Sequence, residues 1–162
     1  MRTLFTPERI YCFDSSVLMQ IAEDYPPDIF PTLWSQLEEL IKKGVVHSVH
    51  EVLAEIEAGN DDLCDWAKRN SGLFISLELH HQQRAQEIVV AHPTLVDASR
   101  QTPQADPFII AHSLIDGCVV VTKENAAQPN QKRKKIPDVC AKEGAEYIND
   151  LNTLFREFHW SF

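Results

Sequence analysis

Residues 105–124 read ADPFIIAHSLIDGCVVVTKE, and this stretch decides the fold. Asp106 and Pro107 open a helix, because proline suits the first turn, where a missing N–H leaves no intrahelical bond unmade. Residues 108–115 are almost wholly apolar, so the helix is expected to be buried on most of its surface. Gly117 closes it. Residues 118–122 then run apolar without alternation, as a strand covered on both faces does. A buried helix leading into a doubly covered strand is the repeating unit of a parallel α/β sheet.

Outward from this stretch the same unit recurs. Residues 10–13 read as a short apolar strand and 15–22 as a helix, which Tyr25, Pro26 and Pro27 break. Residues 31–43 form a second helix: Leu33, Leu37, Leu40 and Ile41 repeat at helical spacing, and Gly44 stops it. Val45, Val46 and Val49 suggest the second strand. A helix follows over 49–58, with Val49, Val52, Leu53 and Ile56 on one face, and another opens at Asp61 and Asp62. Residues 72–79 read as a strand or an extended connection, 82–91 as a helix, 146–148 as a last strand and 151–158 as a last helix. The expectation is one domain over 1–162, a three-layer α/β/α fold with a mostly parallel central sheet. In such sheets the ligand sits outside the carboxyl ends of the strands.

Composition sets the function classes. The chain has 162 residues, 44% of them hydrophobic and 24% charged, ordinary for a globular domain with a real core. Its formal net charge of −9 argues against a protein that coats nucleic acid, but not against a nuclease with an acidic site. No apolar run approaches the roughly 20 residues that span a bilayer. The first residues, MRTLFTPERIYCFD, lack a signal-peptide core, so a cytoplasmic protein with no membrane partner is expected. Cys12, Cys64, Cys118 and Cys140 form no C-x-x-C pair, and His47, His50, His80, His81 and His92 show no ligand spacing. That reads as buried reduced thiols rather than a zinc site.

Four acids stand where apolar strands end or helices begin: Asp14, Glu55, Asp106 and Glu124. Each has a bland reading. Asp14 and Asp106 suit helix caps, Glu124 a turn, and Glu55 a solvated helix face. Helical spacing sets Glu55 on the shoulder of the apolar face, Glu57 on the other shoulder and Glu51 on the far face, toward water. Together the four have another meaning. Two carboxylates about 4 Å apart repel by roughly 4 kcal/mol at an effective dielectric near 20, so a cluster calls for protons or a cation. A hard divalent cation held by oxygens activates water against a phosphodiester.

The strings around these acids are YCFDSSVL (11–18), VLAEIEAG (52–59), ADPFIIAHSL (105–114) and CVVVTKEN (118–125). Their order and spacing resemble the PIN-domain family of metal-dependent ribonucleases, which includes VapC-type toxins. The tail strings IPDVC (136–140) and EYIND (146–150) resemble a little-characterised PIN-like branch. The resemblance implies a PIN-like fold and a Mg²⁺- or Mn²⁺-dependent endoribonuclease. Asp14, Asp106 and Glu124 would be metal ligands, and Glu55 a catalytic acid that orients or deprotonates water. Ser15 and the basic block Lys132, Arg133, Lys134 and Lys135 would contact the RNA substrate. Asp138 and Asn149 are further candidates for the site. Glu124 departs from the family, where aspartate is usual, and its side chain is one methylene longer. The resemblance also implies a toxin neutralised by a protein antitoxin, as a homodimer. The alternatives are a non-catalytic interaction module on the same fold and another metal-dependent phosphate-transfer enzyme. A haloacid-dehalogenase-like phosphatase would want a second aspartate where Ser16 stands.

Overall fold

The structure is a computed structural model that describes residues 9–59, 61–101 and 104–162, without the side chain of Asp61. Residues 1–8, read above for a signal peptide, lie outside the described part. Five parallel strands form one sheet in the order β3-β2-β1-β4-β5. They are β1 Tyr11–Phe13, β2 Val46–Val49, β3 Phe74–Ile75, β4 Val119–Val121 and β5 Tyr147–Ile148. The helices are α1 Ser15–Asp24, α2 Pro31–Lys42, α3 His50–Glu57, α4 Asp61–Arg69, α5 Leu79–Ala91, α6 Asp106–Asp116, α7 Ile136–Glu143 and α8 Leu151–Glu157. The fold is a three-layer α/β/α arrangement, as the alternating pattern predicted. Among the described residues no helix is long and apolar enough to cross a membrane.

Chain order follows from composition. The central strands β1 and β4 are buried at every position, which is why their sequences do not alternate. Helix α6 packs across β1, β2 and β4, and its Ile109, Ile110 and Ala111 are fully buried. Gly117 ends it at φ +78°, a left-handed conformation that glycine adopts without a Cβ clash. That turn feeds β4 directly.

Two boundaries differ from the sequence reading. Only Phe74 and Ile75 of the 72–79 segment are strand, preceded by a 3₁₀ turn over Ser71–Leu73. Helix α5 begins at Leu79, not 82, because the Glu78 backbone N–H donates to Nδ1 of His81 at 3.2 Å and steadies an early first turn.

Candidate active site

The four acids named from sequence lie on the carboxyl side of the sheet, near enough for their charges to act on one another. Asp14 follows β1 and caps α1. Its Oδ1 accepts the Val17 backbone N–H at 3.1 Å and the Ser16 hydroxyl at 2.5 Å, and its Oδ2 accepts the Thr122 hydroxyl at 2.6 Å. Three donors thus fix a carboxylate that is only 3% exposed. Burial pushes its carboxyl up to about 6, against the pull of those donors, and the charge of Glu124 adds to the rise.

Thr122 follows β4 directly, so the Asp14–Thr122 bond joins the chain just beyond two neighbouring strands. The Glu124 backbone N–H donates to Thr122 Oγ1 at 3.1 Å, and that of Lys123 to Ser16 Oγ at 3.1 Å. The small hydroxyl that holds the aspartate is Ser16; Ser15, named from sequence as a substrate contact, is half-buried in the first turn of α1.

Asp106 is the first residue of α6, and no side chain caps that helix. The cap reading therefore holds for Asp14 and fails for Asp106, whose carboxylate is not committed to its own helix. Burial raises the Asp106 carboxyl well above the usual range, and the charges of Glu124, Asp14 and Glu55 add to it, with Arg133 opposing. Glu55 reaches across from α3, where its Oε1 accepts the Ala105 backbone N–H at 3.2 Å. It too is raised by burial, and by Asp14 and Glu124, while the Ala105 bond and Arg100 pull it down. Glu124 accepts the Ile136 backbone N–H at 3.0 Å on Oε2, which covers the start of α7. Asp106 thus feels all three other acids: the four form one electrostatic cluster.

The supporting residues sort differently from the sequence reading. Both Asp138 oxygens accept the Ala127 N–H (3.2 and 3.0 Å), and Oδ2 also accepts that of Lys135 (2.8 Å), so Asp138 shapes the 127–135 loop. The Asn149 amide donates to the Glu124 carbonyl at 3.2 Å and steadies the chain around that acid. Of the basic block, Lys132 and Arg133 are exposed, and the charge of Arg133 opposes the rise at Asp106. Lys134 turns to His92 (Nζ to Nδ1, 2.9 Å), and half-buried Lys135 precedes α7. Sequence reading missed Arg100, which acts on Glu55 from the loop before α6. Asp97 and Gln104 close that loop: the Asp97 N–H donates to Gln104 Oε1 and the Gln104 amide to the Asp97 carbonyl, both at 2.7 Å.

Two expectations are overturned. Glu51 does not face water: it is half-buried, and its Oε2 is buried without a hydrogen-bond partner among the described residues. The helical wheel treats α3 as covered on one side, whereas α1, α4, β2 and β3 all pack on it. The histidines, which show no ligand spacing in sequence, do converge: His47 and His112 meet Cys12 and Cys118, and His81 and His112 meet Asp116. The thiols are free and buried as expected.

A family model described as a domain of unknown function, DUF4411, matches residues 11–162. The chain belongs to the DUF4411 family. The match takes in all four acids and every strand. No curated protein matches the chain. Among solved structures, PAE2754 from Pyrobaculum aerophilum aligns with a TM-score of 0.48 and 16% identity, over 94% of this chain and 98% of that one.

Proposed function

We propose that this DUF4411 protein is a PIN-type endoribonuclease that uses Mg²⁺ or Mn²⁺ to hydrolyse RNA phosphodiesters. The observation that carries the reading is the mutual electrostatic influence of Asp14, Glu55, Asp106 and Glu124 on the carboxyl side of a parallel sheet. The donor set fits a hard cation: every side chain is a carboxylate, and their mutual repulsion is relieved by positive charge. Asp14, Asp106 and Glu124 would hold the ion. Bound there, it supplies a water of lowered pKa and offsets charge developing on the phosphate.

The chain's own groups do the rest. Asp14 is preorganised by Ser16, Thr122 and Val17, so it needs no reorientation to act as a ligand. Glu55 holds Oε1 against the Ala105 N–H, which leaves Oε2 to take a proton from the attacking water. Glu124 is anchored to α7 through Oε2, which holds the longer side chain in one place and leaves Oε1 for the site. Arg133 and Arg100 stand at the rim, where they would contact phosphates and offset repulsion of RNA by an acidic chain. The PIN resemblance extends the proposal to a cytoplasmic toxin that an antitoxin neutralises, working as a homodimer.

The test is cleavage of a labelled single-stranded RNA by the purified chain in Mn²⁺ or Mg²⁺, with Asp14→Asn and Asp106→Asn as controls. Each change removes a ligand charge and keeps the shape, so cleavage should be lost while the circular dichroism spectrum stays native. Full activity in either variant would remove the assignment, and a metal-indifferent, RNA-inert wild type would favour an interaction module.

A further inference from the structure

Deeper on the sheet face that carries Asp14 lies a second cluster, with different chemistry. Side chains alternate along a strand, so Cys12 and Asp14 share one face. The register pairs Cys12 with His47 on one side and with Val120 on the other, and Cys118 stands two residues before Val120. Cys12, His47 and Cys118 therefore emerge on the same face, and α6 lays His112 over them. One ligand atom from each of these four residues lies within 4.8 Å of the other three. Three of the four side chains are buried, and His47 is half-buried.

We infer that Cys12, His47, His112 and Cys118 form a tetrahedral Cys₂His₂ zinc site that braces the sheet beneath the acidic site.

The geometry matches the ion. Zn–N near 2.0–2.1 Å and Zn–S near 2.3 Å give tetrahedral ligand–ligand edges of about 3.3–3.8 Å. The His47 and His112 Nε2 atoms lie 2.8 Å apart, a direct hydrogen bond in which one nitrogen carries the proton, and zinc would displace that proton. The four ligand atoms lie within 4.8 Å of one another, and zinc would part the nitrogens and draw the set to those edges. Soft thiolate with imidazole selects zinc over the hard cations that suit the carboxylates above.

The surroundings are built as a ligand's surroundings are. His112 Nδ1 lies 2.6 Å from Asp116 Oδ2, so Nδ1 carries the proton donated to that carboxylate and the Nε2 lone pair faces the cluster. A carboxylate behind a ligating histidine is the usual support of a zinc site. Asp116 is itself held by His81, whose Nε2 is 2.6 Å away and whose Nδ1 accepts the Glu78 N–H at 3.2 Å. Every donor of this outer layer thus has a partner, and the layer fixes one tautomer of His112.

The placement gives the ion a purpose. It would join β1, β2, α6 and the start of β4. The acids are placed by the same pieces of chain: Asp14 ends β1, Glu55 follows β2, Asp106 starts α6, and Thr122 and Glu124 follow β4. His112 is six steps along α6 from Asp106, about 9 Å at 1.5 Å per residue, so the two centres are stacked and separate.

The test starts with the full-length chain purified without chelator and measured by inductively coupled plasma mass spectrometry. About one zinc per chain should survive gel filtration. Cobalt exchanged into the wild-type chain should give intense tetrahedral d–d bands and a thiolate charge-transfer band in the near ultraviolet, which a carboxylate site cannot give. Cys118→Ser and His112→Ala should lose zinc, whereas Asp106→Asn should keep it. Asp116→Asn should bind it roughly 10–100-fold more weakly. If the cysteine variants fail to fold, the wild-type cobalt spectrum decides alone. No thiolate band with cobalt, a Cys12–Cys118 disulfide in the freshly isolated chain, or zinc lost from Asp106→Asn but kept by Cys118→Ser would each overturn the site. None of these results depends on whether the chain cleaves RNA.

Discussion

Glu55 Oε1 accepts the backbone N–H of Ala105 at 3.2 Å, which ties the helix after β2 to the residue that precedes Asp106. One carboxylate oxygen thus has a structural partner, and the side chain also feels the charges of Asp14 and Glu124. In the proposed mechanism this side chain would take the proton from water rather than serve as a principal metal ligand.

Glu55→Gln keeps an acceptor for Ala105 and removes the base. General-base catalysis contributes about 10²–10⁴-fold, so kcat should fall on that scale while melting temperature changes little. Glu51→Gln should leave kcat near wild type, because no described group links Glu51 to the cluster. Steady-state cleavage of a labelled RNA compares the two variants, and the reverse ranking would refute this assignment of roles on α3.

The metal-free chain should lose stability as pH rises. Asp14 titrates near 6 in the folded chain and near 3.9 when unfolded. Between those values the folded state binds more protons, so the unfolding free energy declines with increasing pH. The contribution is fully present below about pH 4 and lost above about 6, on the order of 3 kcal/mol for Asp14. Asp106 and Glu55 shift the same way, whereas Asp97, Asp116, Glu143 and Asp150, held below their ordinary range, run the other way. The difference between wild type and Asp14→Asn isolates the effect. Melting curves without Mn²⁺ or Mg²⁺ should show the variant gaining on wild type from pH 4 to 7. A pH-independent gap would mean that Asp14 is not a strained buried acid.

Cation binding should reverse that loss. An ion at a hundredfold excess over Kd adds about 2.7 kcal/mol. In a chain of this length that is roughly 5–10 °C in Tm. Millimolar Mn²⁺ at pH 7.5 should raise Tm on this scale in wild type, less at pH 5, where Asp14 holds its proton, and hardly at all in an Asp14→Asn, Asp106→Asn double variant. Scanning calorimetry of the two proteins gives the comparison, and equal increments would move the ion away from these acids.

The rim arginines should govern salt dependence rather than chemistry. For single strands each phosphate contact contributes about 0.7 to the slope of log K against log salt. Arg133→Ala should weaken RNA binding across sequences and reduce that slope by about this amount, with kcat at saturation little changed. Fluorescence anisotropy over a salt series measures it, and an unchanged slope would exclude Arg133 from the interface.

The strand–helix units were legible because β1, β4 and α6 are apolar at almost every position, which only burial on both sides explains. Asp14 and Asp106 were legible as candidates because each sits at a strand–helix or loop–helix junction. Their division of labour was not: an aspartate caps a helix only from the position just before it, which Asp14 holds for α1, whereas Asp106 is the first residue inside α6. Glu51 was misread because helical periodicity records one apolar stripe and is silent about how many elements cover a short helix. The cysteine–histidine cluster was hidden for another reason. Its ligands come from β1, β2, α6 and the start of β4, and only the register that sets Cys12 beside His47 brings them together. The roles of Ser16 and Arg100 were not legible because each depends on tertiary placement: Ser16 on the approach of Thr122 and Lys123, Arg100 on the approach of α3.

The central claim is that Asp14, Asp106 and Glu124 bind a hard divalent cation beside Glu55. Anomalous diffraction from Mn²⁺-soaked crystals, collected at the manganese edge, tests it most directly. The account predicts a peak about 2.1 Å from oxygens of Asp14 and Asp106, with Glu124 in reach, that is absent from Asp106→Asn crystals. A fully ordered acid cluster with no manganese peak, or a manganese peak only at Cys12 and Cys118, would contradict it.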